Sequence, residues 1–122
     1  MRNPITMCFL SLALVLATSS TCVAQTTIFG GYDCGQWVNR PKGHPMESWV
    51  TGYLSGLNSM YTELKETPGI APIDPLDQLN SMDQAYVWLD NFCKANPLRA
   101  LDGAARELYI ELRVKAVSQA IR

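Results

Sequence analysis

Cysteine usage is the feature that most constrains how this 122-residue chain folds. Of its four cysteines, Cys8 and Cys22 fall in an N-terminal stretch typical of a secretory signal, so a processed chain keeps Cys34 and Cys93. Two cysteines in a small exported domain most often pair. The bond would close a loop of about 60 residues and contribute about 4 kcal/mol by the chain-entropy estimate. A free reactive thiol is the main alternative, since one histidine and no close cysteine spacing disfavour a zinc site.

Residues 1–24 have the features of a cleaved signal peptide. Arg2 supplies the positive start, residues 7–17 form an apolar run, and small side chains at Cys22 and Ala24 precede the expected cut. The apolar run is shorter than the roughly 20 residues that a membrane-spanning helix needs. Lipid attachment at Cys22 is the alternative, although Ser-Ser-Thr precedes it in place of a Leu-Ala-Gly type run. We therefore expect a soluble protein of the periplasm or the exterior, after cleavage near Ala24.

The processed chain, residues 25–122, suits one small domain. Without Arg2 it carries nine Lys and Arg residues against eleven Asp and Glu residues, a net charge of −2. It has no basic patch or run that could neutralise nucleic-acid phosphates. No second apolar run reaches membrane-spanning length. The composition therefore predicts neither a nucleic-acid partner nor a membrane span.

Apolar periodicity and capping residues predict an all-α fold, a small disulfide-stapled bundle of three main helices plus a short N-terminal helix. Asp33 is the expected cap of the short helix. Ser81 and Gln84 form a capping-box pattern at the start of the second main helix. Asn96 can cap the third main helix, with Pro97 as its first residue. The main helices are predicted at 46–66, 81–95 and 96–122.

The first main helix carries two stripes. Bulky side chains recur at three- and four-residue steps from Trp49 to Leu64. Beside them lies a stripe of small residues, Gly52, Ser55, Gly56 and Ser59. Each glycine costs about 1 kcal/mol relative to alanine inside a helix, which makes sense where another backbone approaches closely. We therefore expect this helix to pack on two sides at the centre of the fold, with a docking groove for a partner as the alternative.

The third main helix has apolar residues on two faces. Its predicted core stripe consists of Leu98, Leu101, Ala104, Ala105, Leu108 and Leu112. On nearly the opposite face lie Ile110, Val114, Val117 and Ile121. A small monomer has little use for a second apolar face, and exposed apolar patches tend to mark interfaces. We interpret this face as the surface of a homodimer or a partner complex, with burial under the N-terminal segment as the alternative.

The segment 67–80 contains three prolines and no regular period, and it is predicted to be a loop that is functional or mobile. Asp74 and Asp77 make it acidic. Paired carboxylates can serve acid–base chemistry, but on a proline-rich loop a solvated pair is the more ordinary interpretation. Both residues are candidates for an interaction surface.

The sequence contains no catalytic constellation. Cys93 lies beside Asp90 and Asn91, and with the one histidine, His44, these could form a nucleophilic site. On a helix, however, Cys93 falls on the core face while Asp90 and Asn91 point away. His44 lies in a Gly- and Pro-rich loop and is interpreted as a surface residue. Since phosphate-cradling loops and zinc-protease motifs are also missing, we expect no enzyme activity, no cofactor and no metal.

Four motifs in chain order resemble those of a known family. They are C-G-x-W at 34–37, W-V-T-G-Y-L-S-G at 49–56, W-L-D-N-F-C-x-A-N-P-L at 88–98 and A-A-x-x-L-x-x-E-L at 104–112. The chain is thereby similar to the Rap1a/Tai family of small periplasmic immunity proteins and, more loosely, to the HdeA family of periplasmic acid-stress chaperones. Both families are exported and all-helical. HdeA proteins carry one disulfide from an N-terminal cysteine to a later helix, a pattern that Cys34 and Cys93 match.

The resemblance implies a binding protein, not a catalyst. In the Rap1a/Tai interpretation the protein binds and blocks a secreted peptidoglycan amidase from a competing or sister cell. In the HdeA interpretation a dimer dissociates in acid, as the net charge rises from −2 toward about +10, and binds unfolded periplasmic clients. A subunit of an envelope complex is the third interpretation. Loop 67–80 and the exposed parts of the first and third main helices are the expected binding surfaces.

Overall fold

The computed structural model describes residue 28, residues 30–65 and residues 73–121. These residues form four α-helices and one 3-10 turn, and no strand occurs among them, so the predicted all-α class is confirmed. The expected signal peptide, 1–24, lies outside the described residues. The elements are α1 (Cys34–Val38), α2 (Pro45–Leu64), the 3-10 turn (Pro75–Gln78), α3 (Met82–Ala95) and α4 (Leu101–Ala120).

Helix α1 is short and doubly capped. The Asp33 carboxylate accepts a hydrogen bond from the Gln36 amide at 2.7 Å, and Gln36 Oε1 accepts one from the Asp33 amide at 3.0 Å. This reciprocal pair satisfies donors that have no partner inside the helix. Cys34 and Trp37 are fully buried, and α1 packs against α3. The predicted short helix with its Asp33 cap is therefore confirmed.

A disulfide bond joins Cys34 of α1 to Cys93 of α3, as predicted. The two cysteines are 59 residues apart in sequence, and neither is accessible to solvent. The cross-link restricts the unfolded chain and so stabilises the fold. It also leaves no free thiol at Cys93, so a cysteine-based nucleophilic site lacks its nucleophile.

The third main helix begins at Leu101, not at Pro97 as predicted. Asn96, the expected N-cap, instead ends α3, where its amide donates to the Cys93 carbonyl at 3.2 Å. Leu98, which was assigned to the core, is 97% exposed. The predicted boundary is wrong by one turn, and Leu98 is a surface residue.

Pairing with the N-terminal segment explains the late start of α4. The Cys34 amide donates to the Arg99 carbonyl at 2.9 Å, and the Leu101 amide donates to the Tyr32 carbonyl at 2.8 Å. The residues between these bonds form an isolated antiparallel bridge. Because the Arg99 carbonyl and the Leu101 amide are engaged in this pairing, the chain is not helical before Leu101.

Helix α3 buries the face that periodicity predicted. Its fully buried residues, at four-residue steps, are Ala85, Leu89 and Cys93. The predicted capping box is wrong, because the Ser81 side chain makes no capping hydrogen bond. Gln84 Oε1 instead accepts from the amide of Asn80 at 2.9 Å, one residue before the cap.

Helix α4 is the central element of the fold. It packs against α1, α2, α3 and the 3-10 turn. Its buried residues are Leu101, Ala104, Ala105, Leu108, Tyr109, Leu112 and Ala116. Small alanine side chains let neighbouring helices approach α4 closely in a densely packed interior. The prediction that placed the helix 46–66 at the centre is therefore wrong.

One nearly buried cation ties the segment after α1 to α2 and α3. The Arg40 side chain, 9% exposed, donates to Asp90 Oδ1 at 2.7 Å and to Glu47 Oε1 at 3.2 Å. It also donates to the Trp37 carbonyl at 2.9 Å, and its guanidinium carbon lies 3.5 Å from the centre of the Trp37 ring. Arg40 therefore binds carboxylates from two helices and covers a core aromatic side chain.

Replacing Arg40 by alanine should lower the free energy of unfolding by about 3 kcal/mol, because two partly buried carboxylates lose their cation. The matched control is Arg99→Ala. Arg99 pairs with Glu107 at 3.7 Å, but these side chains are 54% and 52% exposed. Such an exposed pair contributes less than about 1 kcal/mol. Urea unfolding followed by circular dichroism measures both variants, and equal losses would contradict the role assigned to Arg40.

Candidate functional site

Two open cavities join into one groove between the second half of α2 and residues 106–121, which include most of α4. They have volumes of about 320 and 420 Å³ and share Tyr61 and Arg113. We call this surface the α2–α4 groove. Its first wall is lined by Leu57, Met60, Tyr61, Leu64 and Lys65. Its second wall is lined by Arg106, Tyr109, Ile110, Arg113, Val114, Val117, Ser118 and Ile121.

The walls of the groove are apolar and exposed. Five large apolar side chains on it are between 40% and 80% exposed: Met60, Leu64, Ile110, Val114 and Ile121. Elsewhere in the described chain the exposed side chains of this kind are Val38, Val87 and Leu98. Single exposed apolar residues are ordinary, whereas their concentration on one concave surface is typical of a binding site.

The groove gathers the whole second apolar face predicted for the third main helix. Ile110, Val114, Val117 and Ile121 all line it. Their use as a homodimer or partner interface stays a prediction. The exposed parts of the helix 46–66 were expected to bind a partner, but sequence periodicity places the large apolar residues of the α2 wall in the core stripe of that helix. The sequence feature that could have identified this wall is the width of the stripe, which exceeds what one helix face can bury.

Cations border the groove. Arg106 Nη2 donates to Tyr53 Oη at 3.3 Å, and this hydrogen bond raises the pKa of the Arg106 guanidinium above its ordinary value. The Arg113 guanidinium lies 5.8 Å from the centre of the Tyr61 ring, and Lys65 borders the α2 wall. Among the described residues, none of the three cations forms a salt bridge and no carboxylate lines the groove. The surface is therefore positive on a chain that is slightly acidic overall.

Consecutive hydrogen bonds fix the spacing of the two walls. Tyr109 Oη of α4 donates to Asn58 Oδ1 of α2 at 3.2 Å, and Asn58 Nδ2 donates to Asp74 Oδ1 at 2.9 Å. Burial is the main cause that raises the pKa of Tyr109 to about 12, and the neighbouring Tyr61 and Asp74 add to it. The protonated phenol is therefore favoured at this position, where it donates its hydrogen bond.

The two candidate acidic residues have different surroundings. Asp74 is half-buried, and besides Asn58 it accepts from the Leu76 amide at 2.9 Å, which caps the 3-10 turn. Asp77 is exposed within that turn. The described part of the predicted loop, 73–80, contains a short 3-10 turn that sequence periodicity did not predict, started by buried Pro75 and the Asp74 cap. An interaction role for either carboxylate stays a prediction.

The stripe of small residues on α2 is open in the described structure. Gly52, Ser55, Gly56 and Ser59 are all exposed, and a Cβ added at either glycine would meet nothing within 4 Å. The interpretation as an internal close-packing stripe is therefore wrong for the described part of the chain. The reason is that α2 buries only one face, with the residues Met46, Val50 and Leu54. A docking role for the stripe stays a prediction.

Other polar clusters serve the fold. Arg40 holds both Glu47 and Asp90 at a third cavity of about 430 Å³, so these carboxylates are engaged in ion pairs. His44 caps α2, where its Nδ1 accepts from the Met46 amide at 3.2 Å. No group of three His, Cys, Asp or Glu side chains that could hold a metal occurs among the described residues. The expectation of no enzyme activity and no cofactor stays a prediction.

Comparison of the chain with protein-family models, with curated proteins and with solved structures finds no match. The resemblance to the Rap1a/Tai and HdeA families therefore rests on the four sequence motifs alone. In the part of the chain that the structure describes, no helix is long and apolar enough to cross a membrane.

Replacing Gly56 by alanine should raise the free energy of unfolding by about 0.5–1 kcal/mol, since alanine favours the helix and its methyl group meets no neighbour. The contrasting variant is Gly35→Ala, whose Cβ would lie 3.2 Å from Asp33 Oδ1. That change crowds the carboxylate that caps α1, so the Gly35→Ala protein should be stabilised less than the Gly56→Ala protein, or be destabilised. Urea unfolding compares the two, and a destabilised Gly56→Ala protein would show that the stripe is covered.

The raised pKa of Tyr109 predicts a pH dependence at high pH. Between about pH 10 and 12 the unfolded chain loses this proton while the folded protein keeps it, so the free energy of unfolding falls as pH rises. The Tyr109→Phe variant lacks this titrating group, so its free energy of unfolding should fall less steeply over the same pH range. Urea unfolding at a series of pH values measures both proteins. Identical slopes would show that Tyr109 titrates as it does in the unfolded chain.

Proposed function

We propose that this chain is an exported, non-enzymatic protein-binding protein that binds its partner through the α2–α4 groove. The carrying observation is the concentration of exposed apolar side chains on this one surface. None of these five side chains belongs to the cluster of buried core residues. Apolar surfaces of this kind mark interaction sites. The buried disulfide supports an oxidising compartment.

A protein partner fits the groove better than a small molecule does. Small-molecule sites place a few convergent polar groups in an apolar pocket. Here two of the three hydroxyl groups in the lining are already engaged, since Tyr109 donates to α2 and Ser118 Oγ donates to the Lys115 carbonyl. From Arg106 to Ile121 the groove extends along α4 for about 22 Å. An apolar surface of that length suits a protein segment.

We infer the class of partner from the four sequence motifs. They resemble those of Rap1a/Tai immunity proteins, so the proposed partner is a secreted peptidoglycan amidase that the protein binds and blocks. The hydrogen bonds from Tyr109 through Asn58 to Asp74 support this role, because they hold both walls in place. A preformed surface loses little conformational freedom on binding, which favours high affinity.

An acid-activated chaperone is the alternative that the exposed apolar surface also favours. In this HdeA-like interpretation the groove binds unfolded periplasmic clients after protonation of carboxylates has separated a dimer. The second alternative is a subunit of an envelope complex, in which the groove contacts a permanent neighbour. The three functions differ in the partner and in the pH at which it binds.

The proposal predicts that the purified protein at neutral pH binds a secreted peptidoglycan amidase and inhibits its hydrolysis of peptidoglycan. Val114→Glu should weaken binding by at least about tenfold, because it places a carboxylate on the apolar wall of the groove. The amidase is captured from culture fluid on the immobilised protein, identified and purified. Its affinity is then measured by calorimetry, and its inhibition by the clearing of a peptidoglycan suspension.

Val87→Glu is the matched control, because Val87 on α3 is 59% exposed and Val114 is 61% exposed. Both variants add the same charge at an equally exposed valine, and only one of the two valines lines the groove. Equal effects would show that the amidase does not use the groove. Suppression of client aggregation at about pH 3 but not at neutral pH would support the chaperone instead. Copurification with a larger assembly would support the envelope-complex subunit.

A further inference from the structure

We propose that the partner enters the α2–α4 groove as an amphipathic helix, with acidic side chains flanking two apolar anchors about two helical turns apart. This proposal rests on the proposed protein-binding function and adds the chemistry of the segment that is bound. Two observations carry it. One is the sign of the charges around the groove, and the other is the spacing of its two cavities.

The charged side chains that line the groove are all cationic: Lys65, Arg106 and Arg113. The Tyr53 hydroxyl contacts Arg106, and the Tyr61 ring lies near Arg113. Neither contact neutralises the cation. Asp102, one turn earlier on α4, is near enough to act on Arg106 but forms no salt bridge with it. Within the described residues these cations therefore keep their charge available to a partner.

The other carboxylates of α4 are engaged away from the groove. Glu107 pairs with Arg99 at 3.7 Å, and Glu111 accepts a hydrogen bond from Trp88 Nε1 of α3 at 3.1 Å. Glu107 and Glu111 therefore do not line the groove, whereas Arg106 and Arg113 of the same helix do. Charge complementarity therefore favours an acidic segment in the groove and disfavours a basic one.

The two cavities set the spacing of the apolar anchors. Along α4 one cavity is lined from Arg106 to Arg113 and the other from Arg113 to Ile121, so the midpoints of the two linings lie about seven residues apart. At the rise of an α-helix this separation is about 10 Å, or two turns. A helix lying along the groove would place its side chains i and i+7 over the two cavities. Helices bound in apolar grooves use anchors at this spacing.

A second copy of this chain fits the groove poorly. In a twofold dimer across the groove, the same surface patch of each copy would face the other. Lys65, Arg106 and Arg113 of one copy would then lie against the same cations of its partner, and like charges oppose association. The homodimer expected from the apolar face of α4 is therefore not the occupant that we assign.

Two other occupants share part of the chemistry. An anionic membrane surface would attract the same cations, but the apolar residues here line concave cavities, which suit the inserted side chains of a protein. Residues 66–72 of this chain follow directly after Lys65 and contain Glu66 and Ile70. Both occupants are distinguished from a partner helix by the experiment.

The experiment uses the processed protein and two synthetic helical peptides of about 15 residues, long enough to span both cavities. Both peptides carry leucine at positions i and i+7, flanked by glutamate in one peptide and by lysine in the other. Fluorescence anisotropy measures the dissociation constants at low and high salt. We expect the acidic peptide to bind at least about tenfold more tightly, with a difference that shrinks as salt is added.

Arg113→Glu should weaken the acidic peptide by about tenfold and tighten the basic one. The matched control is Lys115→Glu, which makes the same change of charge two residues away on α4. Lys115 does not line the groove, so its variant should change either affinity by less than about twofold. Circular dichroism checks that both variants are folded before affinities are compared.

Equal affinity for the two peptides, or no binding of either, overturns the proposal. Self-association in the ultracentrifuge that Val114→Glu abolishes assigns the groove to a second copy and also overturns it. Tighter binding to phosphatidylglycerol vesicles than to the acidic peptide assigns the groove to a membrane. A gain of more than about tenfold in affinity for both peptides on changing Glu66→Lys and Ile70→Ser together assigns the groove to residues 66–72, because the added charge alone would weaken the basic peptide.

Failure here is distinguishable from failure of the proposed function. An amidase that binds through the groove, while the protein has no preference between the peptides, keeps the binding function and overturns the acidic helix. A clear preference for the acidic peptide in a protein that binds no amidase supports the acidic helix and removes the amidase as the partner.

Discussion

The attachment of the N-terminal segment to α3 and to the start of α4 is the constraint on which the rest of the fold depends. The disulfide holds Cys34 against Cys93, and backbone hydrogen bonds hold Tyr32 and Cys34 beside residues 99–101. Trp37 is buried in this region although its indole N–H has no hydrogen-bond partner among the described residues. Apolar burial and the cross-link together outweigh that unsatisfied donor, which costs about 1–3 kcal/mol. With α1, α3 and α4 joined, α2 packs on another side of α4, and the groove lies along that contact.

Sequence reasoning succeeded where the deciding contacts lie within one element and where the cysteine usage predicted a pair. The Asp33 cap, the buried face of α3 and the cysteine pair are of this kind, and the structure confirms them. The start of α4 was not predictable in this way. Asn96 and Pro97 are good local signals for a helix start, with a preference of about 1 kcal/mol. The pairing of residues 99–101 with the N-terminal segment is long-range and overrides that preference.

Of the candidate site, periodicity could reveal the α4 wall but not the α2 wall. Ile110 and Val114 lie nearly opposite the buried stripe of α4, so no single packing direction can cover both sets. On α2, Met60 and Leu64 belong to the same broad stripe as the buried residues, and only the position of α4 decides which of them stay exposed. The glycines of α2 led to a wrong prediction of close packing for a related reason. A stripe of small residues is equally compatible with a covered face and with an open one.

The groove is a defined surface because one lining residue is buried and fixed by a hydrogen bond, whereas the apolar residues of its walls are exposed. Tyr109 is buried and fixed by its hydrogen bond to Asn58, whereas Met60 and Val114 are largely exposed. Apolar wall residues supply affinity without selecting a partner, since burial of apolar area is non-directional. In the proposed complex, selection therefore falls to the cations, because charge complementarity favours partners of one sign and speeds their encounter. On a chain with a net charge of −1, the proposed acidic partner would be attracted mainly where these cations lie, at the groove.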